Sequence, residues 1–577
     1  MTRRRLMLVV LSVLLFAGCG TIPEGTTPHA VRDDVKQQPP ASVAEPDPDL
    51  DAFDLVREFI QKSGNREAAS AYLTEEADRE WGNDTSLTVI LDTFATVPVN
   101  DRQASDADAP PDGIETVVLQ MNLFGRMHQD HSFTPAIGDE QYDVTVVKQP
   151  NGTWRIANPP DTVFVPLEAF KASYRAVTVY YFDPDRRVTV PDLRYVAAEP
   201  VSGLPSRVLT VLLSGPSDTM RRSVVSPLEG ITLRTNAVVD ENGSLVVDLS
   251  SVGDRPIEQR EQMAAQVVLS LLTVTSDRLR LLADGQDLIS GHRDWRMRDL
   301  KSYDAPTRPD SDQLGMVVAD GRVRSLRDGK PIDGPAGSGE YDVLSAAQSI
   351  DGSHLAVVVR TPSGPKLRLG KLGEQLREIN RDARTMTRPT WLVSTSEEAD
   401  PTEVWTVADG EVIRVVRTGG DDWRALQVSS SELTNFGTIT DLRLSRDGTR
   451  AAIVSNNRVA VASVVREKGS VILRYPRRLQ PSNIQEAVGV DWYSQDTLVV
   501  ATELGQAPVV SLSVDGLKAD VFDRNNLQLP ITAIAAAPDR DVLVTDSAAV
   551  SSVPGVGQLW RQHAHGQSPD AIPFYPG

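Results

Sequence analysis

The chain is almost without cysteine: Cys19 is the single one in 577 residues. A lone thiol excludes an intramolecular disulfide framework, so each folded part must be held by its own apolar core. Histidine is scarce too, at 7 residues, which leaves little material for histidine-based metal centres or acid–base pairs. Aromatic residues make up only 5 % of the chain, so stacking platforms for sugars or bases are few. Positive charge is outweighed: 59 Lys and Arg face 79 Asp and Glu, for a formal net charge of −20. Such a surface repels nucleic acid and anionic lipid headgroups, and no nucleic-acid partner is expected. Past the N-terminus no apolar run approaches the ~18 residues of a membrane-spanning helix. Familiar catalytic signatures are missing as well. There is no HExxH, no G-x-S-x-G elbow, no Walker loop and no G-x-G-x-x-G after a strand. The expectation is a protein that is not an enzyme, with no cofactor and no metal.

What the chain does have begins at residue 3. Arg3, Arg4 and Arg5 form a positive segment, Leu6 to Phe16 is an apolar run, and Ala17 and Gly18 precede Cys19. The run is too short to span ~30 Å of hydrocarbon and has the layout of a secretory signal. Leu15-Phe16-Ala17-Gly18-Cys19 resembles the bacterial lipobox, in which the cysteine is acylated and becomes the first mature residue. We therefore expect a signal peptide over 1–18 and lipidation at Cys19. Acyl chains stabilise membrane attachment by about 0.8 kcal/mol per buried methylene, and several chains make it durable. The expected location is the outer face of the plasma membrane. Pro23, Pro28, Pro39, Pro40, Pro46 and Pro48 then punctuate a polar stretch, and 19–48 reads as the lipidated cysteine plus a flexible tether.

Three folded regions follow, giving a multidomain chain that is α+β first and all-β last. In 49–168, Asp49 or Asp51 caps a helix with Phe53, Val56, Phe59 and Ile60 on one face, and Asn65 starts a second helix with Ala68, Ala69, Tyr72 and Leu73. Strands follow at 89–91, 116–123, 142–147 and 154–156. In 174–302 the pattern gives strands at 177–182, 245–250 and 279–282, with helices at 205–213 and 259–274. From 313 to 577 the texture is short β runs and turns with weak self-similarity. Ser349-Ile-Asp351-Gly-Ser and Ser445-Arg-Asp447-Gly-Thr each precede an apolar run, with looser copies at 490–499 and 535–544 and a further one around Trp391 and 404–407. Anchors at this spacing predict a β-propeller of about five to six blades. Segments 320–326 and 558–561 are expected to supply strands of a closing sixth blade.

Candidate chemistry is sparse. His128 and His131 have a spacing seen in metal sites, but residues i and i+3 of a strand point to opposite faces. His563 and His565 are two histidines without further ligands. An enzyme built on the propeller would need clustered groups at one end of its channel, where His354, His563 and His565 are the histidines to hand. Asp248 reads as a strand residue that accepts hydrogen bonds from nearby backbone amides. Asp351, Asp447 and Asp539 recur at blade turns, where Asp serves turn geometry. Tyr180, Tyr181 and Phe182 are consecutive aromatics in one strand. Core packing accounts for two of them, and as a set they are the candidate ligand-stacking residues.

The helices-then-sheet order of the first region looks like the cone-shaped fold of nuclear transport factor two. Its ending, Asn151-Gly-Thr-Trp154-Arg-Ile-Ala-Asn-Pro-Pro160, resembles the N-terminal region of actinobacterial LpqB lipoproteins. Leu212-Leu-Ser-Gly-Pro216, Val247-Asp-Leu-Ser250 and the helix before Leu279-Arg-Leu-Leu282 are similar to the GerMN domain of spore-germination proteins, which also occurs in LpqB. The resemblance implies a partner, the extracellular domain of MtrB, sensor kinase of the MtrAB two-component system, with cell-wall metabolism and division downstream. The alternative is a cell-wall ligand-binding protein that grips peptidoglycan or a lipid intermediate in a pocket beside Tyr180, Tyr181 and Phe182.

Overall fold

The computed structural model describes residues 45–81, 87–98, 113–185, 188–276, 278–300, 303, 308–393, 401–420, 422–467, 469–479 and 486–577. Residues 1–45 and 46–577 are two separate units, and the second carries the architecture below. The signal segment, Cys19 and nearly all of the tether lie outside the described residues.

Asp51 starts the first helix by accepting the Asp54 amide at 2.8 Å. This helix, α1 (Ala52–Lys62), buries Leu55, Val56, Phe59 and Ile60. Asn65 caps α2 (Arg66–Ser70) by accepting the amides of Glu67 and Ala68. The second helix is shorter than its apolar pattern predicts. The Ile156 amide bonds the Tyr72 carbonyl and the Thr74 amide bonds the Ile156 carbonyl, so Tyr72 and Leu73 join the sheet's edge instead. Thr74 then caps α3 (Glu75–Glu80).

Seven strands complete the N-terminal region: β1 (Leu87–Ile90), β2 (Ala95–Pro98), β3 (Ile114–Met127), β4 (Phe133–Pro135), β5 (Asp139–Lys148), β6 (Trp154–Asn158) and β7 (Val163–Pro166). Their order is β6-β5-β3-β1-β7, with β2 and β4 also on β3. Alternate residues Val117, Leu119 and Met121 of β3 face the core that α1 covers.

Helix α4 (Leu167–Ser173) leads into a hairpin of β8 (Tyr174–Phe182) and β9 (Thr189–Ala197). Then come α5 (Leu204–Leu213), β10 (Thr232–Leu233), β11 (Val238–Val239), β12 (Ser244–Ser250), α6 (Ile257–Leu272), β13 (Arg278–Ala283), β14 (Gln286–Asp287) and β15 (Asp294–Trp295). β12 and β13 are parallel, which requires a crossover, and α6 supplies it. Met263, Val267 and Leu271 of α6 pack with Val247, Leu249, Leu279 and Leu281 in one core. The sequence pattern places no strand over β9. Pro191, Asp192 and Arg194 in its middle argue for a loop, and only burial against neighbours makes a strand of it.

The remaining strands form six sheets among the described residues. Their innermost strands, Val343–Gln348, Thr390–Trp391, Ile439–Leu444, Ala487–Trp492, Ala533–Ala535 and Ile572–Phe574, touch in cyclic order and close a ring. This is the β-propeller. Each repeated turn joins an innermost strand to a second strand that is almost wholly buried, such as His354–Thr361 or Arg450–Ser455. Ser349 and Ser445 donate to Asp351 and Asp447 at 2.5 and 2.6 Å, and their hydroxyls accept the amides of His354 and Arg450. At Asp351 and Asp447 the recurring Asp is thus a turn brace, whereas Asp539 pairs with Arg308. Blades are stitched by indoles: Trp391 Nε1 donates to the Ala347 carbonyl and Trp492 Nε1 to that of Arg443, each on the preceding blade.

The closing blade differs from expectation in one strand. Met316–Ala319 and Arg322–Ser325 do form its hairpin, but Ile572–Phe574 completes it. Arg561–Gln562 is instead the outermost strand of the fifth blade. Pro573 hides the closing strand in the sequence, yet an innermost strand has one neighbour only and tolerates a missing amide.

Candidate functional site

Strand β9 is where the three regions meet, and it carries charges into the interior. Arg194 is fully buried and bonds Asp192 at 2.7 Å, the Gly215 carbonyl at 3.1 Å and the Asp130 carbonyl beside β4. Asp192 also accepts the Ser217 amide at 2.8 Å and the Ser217 hydroxyl at 3.0 Å. Burial alone would raise the Asp192 carboxyl, but the Arg194 guanidinium and these donors hold it below the usual carboxylate range. The Tyr195 amide bonds the His131 carbonyl at 2.8 Å, while His131 Nδ1 sits 3.0 Å from the Tyr195 carbonyl.

From the propeller side, Arg450 donates to the Pro191 carbonyl, Ser463 to the Thr219 carbonyl at 2.6 Å, and Asp515 accepts the Tyr195 hydroxyl at 2.6 Å. Leu517 joins the apolar cluster of Phe133, Phe170 and Tyr195. Burial pushes the Asp515 carboxyl up despite hydrogen bonds from Ser513, Tyr195 and Leu517. Burial, reinforced by like-charged Arg450, pushes Arg477 down to about 10. The junction is therefore a set of desolvated, mutually bonded charges that fixes the geometry between regions.

The raised Asp515 has a testable sign. The folded junction holds its proton more tightly than the unfolded chain does. That contribution is present below the unfolded carboxylate pKa and is lost as pH rises through the raised folded one. Asp515→Asn should therefore gain thermal stability over the parent when compared at about pH 7.5 rather than about pH 4. Melting curves at both pH values check this, and an equal difference at both would show an ordinary Asp515.

The sequence-derived candidates fall in different places. Tyr181 and Phe182 are 0 % exposed in the core of the second region. Tyr181 donates to the Leu212 carbonyl, and Phe182 packs edge-on against Tyr303. Tyr180 alone reaches a crevice, of about 650 Å³, shared with Tyr493, Asp496, Asp539 and Arg540 of the propeller. Polar groups there are already engaged: Arg308 pairs with Asp539 at 2.9 Å, Ser494 donates to Asp496 at 2.7 Å, and Arg540 donates to the carbonyls of Pro309 and Asp310. A stacking surface of three aromatics is thus not presented.

His128 Nε2 lies 2.7 Å from the Thr134 hydroxyl, away from the bond His131 makes to Tyr195. His563 and His565 have ring centroids 6.1 Å apart at the surface of the fifth blade, and His354 is buried under Trp391. Asp248 accepts the Gly285 amide at 3.0 Å and faces Arg234 at 3.7 Å. Among the described residues no group of three or more His, Cys, Asp or Glu gathers to hold a metal ion, and no helix is long and apolar enough to cross a membrane.

Fold and junction together define a three-part scaffold: an α+β region, a GerMN-like region and a six-bladed propeller. Family models match these in turn: lipoprotein LpqB, N-terminal domain, over 45–171; sporulation and spore germination over 178–289; and lipoprotein LpqB beta-propeller domain over 321–576. Lipoprotein LpqB of Mycolicibacterium smegmatis is 29 % identical over 610 residues, covering 100 % of both chains. Lipoprotein LpqB of Rhodococcus jostii is 28 % identical, covering 99 % of this chain and 97 % of the relative. The chain belongs to the LpqB lipoprotein family. These relatives are named as lipoproteins and not as enzymes. Among solved structures, the tandem GerMN domains of GerM from Bacillus subtilis match at 15 % identity, over 21 % of this chain and 42 % of that one, with a TM-score of 0.17.

Proposed function

We propose that the chain is held at the outer face of the plasma membrane by lipidated Cys19 and acts as a non-enzymatic accessory of the MtrB sensor kinase in the MtrAB system. Its effects would fall on cell-wall metabolism and division. One observation carries the reading: kinship over the whole length with proteins named lipoprotein LpqB, in a chain whose export-type segment ends at Cys19. A tether at the membrane surface raises the effective concentration of the folded regions around a membrane-embedded partner. A propeller face and a hydrogen-bonded three-way junction suit docking better than turnover.

The test is a binding assay of residues 20–577 against the kinase's extracellular domain, with purified wall fragments in parallel. Saturable kinase binding that survives high salt is the expected result. Binding to wall fragments alone would overturn the accessory reading in favour of a wall-ligand protein.

A further inference from the structure

A separate cavity, of about 380 Å³, opens where the N-terminal sheet meets β9 and α5. Leu87, Met127, Val163, Tyr174, Val196 and Val211 make most of its lining apolar. Three basic side chains, Arg66, Arg207 and His131, share that lining, and no Asp or Glu does among the described residues. In a chain of formal charge −20 this departs from the general surface. Arg66 is already engaged, with Asp78 at 2.7 Å and its guanidinium over the Trp81 ring at 5.0 Å. Arg207 is not: it donates to the carbonyls of Ala198 and Pro200 and meets no carboxylate among the described residues. Trp81, also in the lining, is 4 % exposed, and its indole Nε1 has no hydrogen-bond partner among the described residues. A buried donor left unsatisfied is costly and calls for an acceptor. Apolar walls with a few convergent polar groups are how small molecules are held.

We infer that this cavity binds a single-chain amphiphile with an anionic head group, the chain lying against Leu87, Met127 and Val163 and the head meeting Arg207. The inference stands apart from the kinase reading. A fatty-acid carboxylate and an alkyl or prenyl phosphate share the required chemistry, and competition between them separates the two.

The experiment titrates residues 20–577, which keep the whole 46–577 unit, with the fluorescent fatty acid cis-parinarate. Dodecanoate, dodecyl phosphate and dodecanol then compete for the site. We expect saturable uptake at one site, with the better anion at least about tenfold stronger than the alcohol, as a charge-assisted bond requires. Whichever anion competes better identifies the head group. Arg207→Gln should weaken both anions about tenfold and leave dodecanol unchanged. Thr210→Trp, on the exposed face of α5 at the cavity rim, should block uptake without lowering the melting temperature. Absence of saturable uptake, dodecanol matching the anions, or indifference to both substitutions would overturn the inference.

Discussion

Arg194→Met should loosen the whole junction, lowering stability by about 3–5 kcal/mol, the usual cost of leaving a buried charge without its partner. The substitution keeps an unbranched apolar stem but strands Asp192, which is 4 % exposed, and removes the donors to the Asp130 and Gly215 carbonyls. Unfolding of a chain with several regions need not be two-state, so limited proteolysis is the better companion to a melting curve. Cleavage should appear between the N-terminal region and β8 before the propeller is touched. Arg194→Lys should rescue little, because one ammonium cannot serve three acceptors arranged around a planar fork. Pairing Arg194→Met with Asp192→Leu should recover much of the loss, since no lone charge is then buried. A single variant as stable as the parent would mean that the apolar contacts of Tyr195 and Leu517 hold the junction unaided.

Cys19→Ala should move the protein off the membrane. Cell fractionation is expected to find it soluble or as an unprocessed precursor, and metabolic labelling with a palmitate analogue should fall to background. The folded regions should melt as before, because the substitution lies outside the 46–577 unit. Recovery of the variant in mature, lipid-bound form would remove the anchoring proposal, and with it the argument from effective concentration.

Local chemistry made parts of this fold readable. Asp51 and Asn65 are helix caps that act within a few residues, and the Ser-x-Asp-Gly turns brace themselves, so both kinds of feature are written in short stretches. β9 is the opposite case. Its Pro191, Asp192 and Arg194 look like loop residues until Ser217, Asp130 and Arg450, from three other places in the chain, supply their partners. The aromatic triplet was half readable: alternation predicts that one ring turns away, but nothing local shows that Tyr180 turns toward the propeller. The amphiphile cavity was not readable at all. Trp81, Leu87, Val196 and Arg207 come from separate elements, and the lining they share, which has basic but no acidic side chains among the described residues, exists only after folding.

The strand that completes the ring also sets a timetable. Ile572–Phe574 pairs with Met316–Ala319, about 250 residues earlier, so this contact is among the most non-local in the protein. A chain that emerges N-terminus first can build the intervening blades one by one as hairpins. It cannot complete the blade of Met316–Ala319 until residues 572–574 are free. Until that moment the half-made blade offers the unpaired edge of Met316–Ala319, an invitation to pair with another chain. Deleting 572–577 should hold the protein at this stage, soluble as separate blades but prone to associate through that edge, and a bulky C-terminal fusion placed directly after Phe574 should slow closure for the same reason.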